Sequence, residues 1–347
     1  MEESNQTLLS ADSYENLSYY YYYGDPILLE EHAQDRFHRL FPTVCYGLIF
    51  CVSLAGNGFL MWILMKQEDL RRTSSQLLLH LTVSDLLFTL PLPLWAAYLN
   101  GSLVMSEAVC VLLNGTYSLG LYSYMTFLTA MTVHRYWAVI HAVSASTFRP
   151  NVYLLSGGLW VFCLAFAVAE MVFSETVVND DDSAECIQTY GSYMPEYLVY
   201  YMQILVFFLL PFTIITFCYG RMWFRIQRCR MAQKRQAVKL ILLIVVGFFI
   251  CWAPYNIFLL IYSLSLHGLI HEVDQHNAAA MFAYTVSHTL AYFHCCLSPV
   301  VHIFGAGKFR GRLRHQLSGF RRFSVRERTR TLSVHTGETP LSVSGQH

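Results

Sequence analysis

The sequence predicts an all-α membrane protein: a bundle of seven transmembrane helices followed by a short amphipathic eighth. Three observations carry that prediction. Of the 347 residues, 55% are apolar or aromatic and only 13% are charged, against roughly 25% charged in an ordinary soluble domain. Seven apolar stretches, at about 41–65, 75–99, 108–133, 152–174, 197–220, 237–264 and 278–304, each reach the roughly 20 residues that a helix needs to cross the hydrocarbon. The 23 basic and 23 acidic residues cancel formally but are segregated along the chain. A soluble helical protein with buried core helices is the competing reading, and it does not account for seven full-length runs. Backbone groups in lipid must be satisfied within their own segment, so the spans are helices rather than open strands. Balanced charge and high apolar content exclude a nucleic-acid binder and a disordered chain.

Residues 1–40 read as an acidic tail. Tyr19, Tyr20, Tyr21, Tyr22 and Tyr23 form an unbroken run between Glu15 and Asp25. Acid-flanked tyrosines are candidates for sulfation, and a flexible anionic arm speeds capture of a basic protein by electrostatic steering. A merely solvated tail is the alternative. Asn5 and Asn16 open glycan acceptor triplets; Asn114-Gly115-Thr116 lies inside the third span and is set aside. The opening MEESNQTLLS has neither a basic flank nor an apolar run, so no cleavable signal is expected and the first span serves as the insertion signal.

The seven-span domain, residues 41–306, is oriented by its charges. With the N-terminus outside, 21 of the 23 Lys and Arg fall on the cytoplasmic side, as the positive-inside rule requires, and 17 of the 23 acids fall outside. Two acids, Asp85 and Glu170, sit within spans, leaving about −15 outside and +17 inside. An ionisable group in a span is by default a functional hypothesis. Asp85 is mid-span, with Asn57 as its expected polar neighbour, and Glu170 lies near the outer end of the fourth span. Pro93, Pro211, Pro254 and Pro299 are expected to interrupt their spans by removing a backbone hydrogen bond. Of ten cysteines, only Cys110 and Cys186 face the oxidising side, and they are expected to pair. Residues 307–318 read as the amphipathic eighth helix and 319–347 as a cytoplasmic tail offering Ser324, Thr329, Thr331 and Ser333 for phosphorylation. Basic stretches at 221–239 and 308–330 suit anionic lipid head groups.

Several patterns are decoys. His271-Glu272…His276 has one residue too many for a zinc helix, and His294-Cys295-Cys296 reads as packing rather than a metal site. The last span has no lysine for a retinal Schiff base. No catalytic constellation, cofactor or metal is expected, and the absence of internal repeats argues against the usual transporter plan.

Residues 41–320 resemble the rhodopsin-like receptors coupled to G proteins. The elements are Gly56-Asn57, Leu81 to Asp85, Cys110 with Cys186, Arg135-Tyr136, Trp160, Pro211 with Tyr219, Cys251-Trp252-Ala253-Pro254, and Pro299 followed by Phe309-Arg310. Leu92-Pro93-Leu94-Trp95, the stretch VIHAVSA and FHCCLSP at 293–299 are similar to the chemokine receptors, and His134 before Arg135-Tyr136, with Glu170, to their lymphotactin (XC) type.

The resemblance implies a plasma-membrane receptor for a basic chemokine, signalling through a heterotrimeric G protein of the inhibitory type and desensitised by a receptor kinase and arrestin. The ligand's N-terminus would enter a cavity lined by Trp95, Tyr117, Glu170, Tyr255 and His288. Asp85, His134, Arg135, Tyr136, Tyr219, Trp252, Pro254, Pro299 and His302 would carry activation and coupling, with Tyr219 as partner of Arg135. Several positions depart from the pattern. No cysteine is present to tie the tail to the third outer loop, and His288 replaces a glutamate. His134 replaces an aspartate, and Ser298 and His302 replace an Asn and a Tyr. Tyr124 and Ser298 alter the surroundings in which a sodium ion would meet Asp85. A scavenging receptor that binds chemokine without activating G proteins is the alternative.

Overall fold

A computed structural model describes residues 26–67, 69–140, 151–178, 184–188, 196–228, 232–266, 268–269 and 278–305. The tyrosine run, Asn5, Asn16, the eighth helix, Ser324, Thr329, Thr331 and Ser333 lie outside the described residues, as does the side chain of His302.

The first span is α1 (Pro26–Gln67), and it begins well before the apolar run because nothing in 26–40 breaks a helix. The second is α2 (Thr73–Thr89) and α3 (Leu92–Leu99), and the third is α4 (Glu107–Ile140). The fourth is α5 (Val152–Val172), whose cap Asn151 accepts from the amides of Tyr153 and Leu154. A two-stranded antiparallel hairpin follows, β1 (Ser174–Val178) and β2 (Ala184–Gln188), with Thr176 opposite Cys186. The fifth span is α6 (Glu196–Ile204), a π turn (Leu205–Leu209) and α7 (Leu210–Arg228). The sixth is α8 (Ala232–Leu266). The seventh is α9 (Ala278–Tyr292), a 3-10 turn (Phe293–Cys296) and α10 (Leu297–Gly305).

The prolines explain three of these breaks. A proline ring clashes with the carbonyl four residues back. Counting back from Pro93 reaches Thr89, where α2 ends; from Pro211 it reaches Phe207, inside the π turn; from Pro299 it reaches Cys295, inside the 3-10 turn. The interruption expected at Pro254 is not formed, and α8 runs through it as one helix.

Five of the spans are long and apolar enough to cross a membrane by their own composition. The third falls short because it runs through the middle of the bundle and faces other spans. Leu121, Tyr124, Met125, Phe127, Leu128 and Met131 are all buried there. Its hydroxyls return to their own helix, Thr129 to the Met125 carbonyl and Thr132 to that of Leu128. The seventh falls short because His288, His294 and several Ser and Thr dilute its apolar run. The fourth is peripheral and shows its apolar side chains outward, among them Leu154, Val161 and Val168. The core lies on the bundle axis, where Phe88, Tyr124, Phe127, Phe248 and Trp252 are fully buried.

Two glycines set the closest approaches. A Cβ on Gly120 would stand 2.8 Å from the backbone nitrogen of Phe88, and one on Gly56 would stand 2.7 Å from the Pro299 ring. Bare backbone therefore lets the third span touch the second, and the first touch the seventh.

Candidate functional site

The site is an aromatic column running from the hairpin end of the bundle to its middle, with a polar centre below it. Cys110, at the head of α4, is bonded to Cys186 on β2, as expected, with 5.4 Å between their Cα atoms. Asn114, one turn further along, donates to Ser174 Oγ at 3.0 Å, and Ser174 in turn donates to the Glu170 carbonyl at 2.8 Å. The hairpin is thus fastened to the third span by one covalent bond and a relay of side chains. Asn114 is legible in sequence only as a false glycan triplet; its role depends on partners far along the chain.

Glu170 is buried, and Tyr122 of the third span donates to its Oε1 at 2.9 Å. Tyr122 itself lies against Phe207 in the π turn of the fifth span, ring centroids 3.9 Å apart. The Glu170 carboxylate is therefore oriented by a hydroxyl of the third span.

Three of the residues expected to line the cavity come together. His288 lies 5.0 Å from Tyr255 and 6.0 Å from Tyr117, ring centre to ring centre. Two tyrosines that sequence reasoning missed complete the enclosure: Tyr284, stacked on His288 at 5.3 Å, and Tyr292, edge-on at 5.1 Å. Both stand one turn from His288 on the same face of the seventh span, a spacing the sequence displays without saying what it faces. Trp95 packs against the same core but makes its ring contact elsewhere. It packs against Tyr98 and the disulfide, and its indole nitrogen, though buried, has no hydrogen-bond partner among the described residues.

The column continues inward. Tyr255 meets Trp252 at 5.9 Å, Trp252 stacks on Phe248 at 5.8 Å, and Phe248 stacks on Tyr124 at 5.2 Å. Beside it lies the polar centre. The Trp252 indole donates to His294 Nδ1 at 3.2 Å, and His294 Nε2 stands 3.8 Å from Asp85 Oδ1. His294 Nδ1 also lies 2.6 Å from the Ala291 carbonyl oxygen. One ring nitrogen cannot accept from the indole and donate to the carbonyl at once. With its proton on Nε2, His294 accepts from Trp252 and points an N–H at Asp85; with the proton on Nδ1, it donates to Ala291 and releases the indole. The imidazole is thus a two-position link between Trp252 and Asp85.

Asn57 makes no hydrogen bond to the Asp85 carboxylate and reaches Asp85 through a relay. Its amide donates to the Cys295 carbonyl and to Ser53 Oγ, each at 2.9 Å, joining the first span to the seventh. Ser53 then meets Thr89 at 2.7 Å, and Thr89 donates to the Asp85 carbonyl. Both Asp85 carboxylate oxygens are without hydrogen-bond partners among the described residues. Asp85, His294 and Cys295 hold potential ligand atoms within 4.8 Å of one another. They mix oxygen, nitrogen and sulfur where hard cations take oxygen ligands, so a sodium ion is a poor fit. His294, which reads as packing from sequence, is the most connected polar residue of this centre.

At the opposite end, Arg135 and Tyr219 approach without bonding. Arg135 Nε and Tyr219 Oη are both buried and both lack a hydrogen-bond partner among the described residues, so their expected pairing is not made in this arrangement. His134 is half-buried, and its Nδ1 also lacks such a partner. Tyr136 lies 6.1 Å from Phe217 of the fifth span.

Residues 56–302 match the family described as 7 transmembrane receptor (rhodopsin family). The chain is 33% identical over 314 residues to chemokine XC receptor 1 of Homo sapiens, covering 90% of this chain and 91% of that one. It is 31% identical over 302 residues to C-C chemokine receptor type 8 of Macaca mulatta, covering 84% of each. The chain belongs to the rhodopsin family of seven-transmembrane receptors and, within it, to the chemokine receptors.

Proposed function

We propose that the protein is a plasma-membrane receptor that binds a basic chemokine at its hairpin end and activates an inhibitory G protein at its Arg135 end. The observation that carries this reading is identity to a chemokine receptor over nine-tenths of the chain. The segregated charge supports its direction: acids on the hairpin side and in the tail, bases at the other end. In this reading the N-terminus is extracellular, and the acidic tail captures the ligand's folded body. The ligand's N-terminus then reaches the His288 enclosure, with Glu170 as partner for its amine and the tyrosine faces adding cation–π attraction.

Binding activates only if the ligand favours one arrangement of the helices over another. The column from His288 through Tyr255 to Trp252 is the path by which it does so. A ligand that shifts Tyr255 moves the ring packed against it, and Trp252 is hydrogen-bonded to His294 beside Asp85. Rearrangement there frees the Arg135 end to accept a G-protein helix. Phosphorylation of the cytoplasmic tail by a receptor kinase then supplies negative charge for arrestin.

His134 favours a second reading. An aspartate before Arg135 would hold it by charge, and His134 does not. A scavenging receptor that internalises chemokine without G-protein activation is therefore the alternative. Cyclic AMP and ligand uptake measured in the same cells separate the two. We expect a fall in cyclic AMP on chemokine addition. Uptake at saturating ligand with no change in cyclic AMP, restored by His134→Asp, assigns the scavenging role instead.

A further inference from the structure

A groove of about 1260 Å³ lies among the second, third, fourth and fifth spans, in the Arg135 half of the bundle. It is amphipathic along its length. Its rim carries Arg71 and Arg72 with Asp69 beside them, and Asn151; its floor is apolar, with Leu159, Phe162, Phe207 and Pro211. From Asn151 to Phe162 the fourth span rises about 16 Å at 1.5 Å per residue, close to half of a roughly 30 Å hydrocarbon core. The groove is therefore as deep as one leaflet.

The rim carries a net positive charge, two arginines against the single carboxylate of Asp69. The Arg71 and Arg72 side chains are exposed; Arg72 meets Asp69 at 3.8 Å, while the Arg71 guanidinium has no ion pair among the described residues. The rim also holds the N-terminus of α5, with its partial positive charge. His134 lines the same wall, so a position that would carry a carboxylate as aspartate carries none.

We propose that this groove binds one anionic phospholipid, its phosphate held by Arg71 and Arg72 and one acyl chain laid over Leu159, Phe162 and Pro211. Guanidinium groups suit phosphate, which they bind in a paired, planar geometry. A sterol, whose polar end is a single hydroxyl, would leave the Arg71 guanidinium without an ionic partner. The assignment to the cytoplasmic leaflet, where anionic lipids concentrate, rests on the orientation proposed above; the binding itself does not. The site also gives His134 a use outside the G-protein contact: it spares the wall a second carboxylate, beside Asp69, that would repel the head group. Pro211 and Phe207, at the π turn of the fifth span, form the far end of the groove, so an occupied groove braces the helix whose Tyr219 faces Arg135.

The full chain, purified and stripped of lipid, is offered phosphatidylserine, phosphatidylcholine and cholesterol at equal doses, and bound lipid is counted by native mass spectrometry. Phosphatidylserine should be retained in preference to the other two. In R71Q/R72Q its affinity should fall about 30-fold, the loss expected for two basic side chains at a membrane surface, while phosphatidylcholine is unchanged. H134D should weaken phosphatidylserine alone, and L159W, which fills the floor, should weaken both phospholipids. Basic residues elsewhere contribute equally to every variant. Undiminished phosphatidylserine binding in R71Q/R72Q, or its displacement by cholesterol, overturns the proposal. Should the double variant not fold, H134D and L159W decide, and wild-type phosphatidylserine retention in both overturns it. Loss of chemokine signalling with this preference intact would instead count against the receptor reading alone.

Discussion

His294 shows how one side chain joins two spans. It is fully buried between Trp252 of the sixth span and Asp85 of the second, and its two nitrogens face them separately. His294→Phe keeps the ring that packs against Phe88, Tyr124 and Phe248 but removes both polar contacts. It takes the hydrogen-bond partner from the Trp252 indole, and a buried polar group left unsatisfied costs about 1–3 kcal/mol. The thermal midpoint of His294→Phe should fall. Trp252→Phe removes the same indole contact from the other side. If the indole bond is made, the two substitutions together should cost less than their sum, by about 0.5–3 kcal/mol in a double-mutant cycle. Additive costs would show that His294 spends its time on the Ala291 carbonyl instead. Sequence alone marks Asp85 as costly, Trp252 as central and Asn57 as a polar neighbour, but treats His294 as filler. The reason is physical: which polar groups meet across a bundle depends on helix rotation and on the 3-10 turn at Phe293–Cys296, and neither is written in local pattern.

At the level of whole helices, the prolines are legible in the sequence and the form of each break is not. The clash of a proline ring with the carbonyl four residues back says where a helix is disturbed. It does not say whether the chain answers with a turn, as before Pro93, a π turn, as before Pro211, or a 3-10 turn, as before Pro299. Helix contacts hold the same lesson for glycine. Gly120 sits where the third span meets the backbone of the second at Phe88, so Gly120→Ala forces the two spans apart and should destabilise by about 1–3 kcal/mol, as overpacking does. At Gly157 and Gly158 in the fourth span, an added methyl group would meet nothing within 4 Å among the described residues. Alanine at either should leave the midpoint unchanged or raise it, since glycine is the poorer helix former by roughly 1 kcal/mol. Thermal melts of the three variants in one detergent check this, and equal losses in all three would show that the tight contact at Phe88 is not what glycine serves. The seven spans themselves are readable because length and apolarity are local. The aromatic enclosure of His288 is only half readable, because Tyr284 and Tyr292 look like any other membrane-edge tyrosines until the sixth span is placed against them.

Across the whole molecule, the charge that sums to zero divides, in the orientation proposed above, into two opposite fields, about −15 on the hairpin side and +17 on the other. Eight of the acids lie in residues 1–40, the segment that holds Tyr19 to Tyr23. A field of this kind acts before contact: it raises the rate at which a basic ligand arrives and does little for how long it stays. Ionic strength screens it within about 8–10 Å at physiological salt. Association of a basic chemokine should therefore slow steeply as salt is raised, while dissociation changes little. Changing Tyr19 through Tyr23 to Phe removes every hydroxyl in the run that sulfation could use and leaves the aromatic surface in place. The variant should associate more slowly at low salt and converge on the parent at high salt, with its dissociation rate nearly unchanged. Surface plasmon resonance on the captured receptor reads both rates. A variant whose salt dependence matches the parent's would assign the steering to the unmodified acids of the tail and loops alone, and a variant that also dissociates faster would make the tyrosines part of the bound interface rather than of the approach to it.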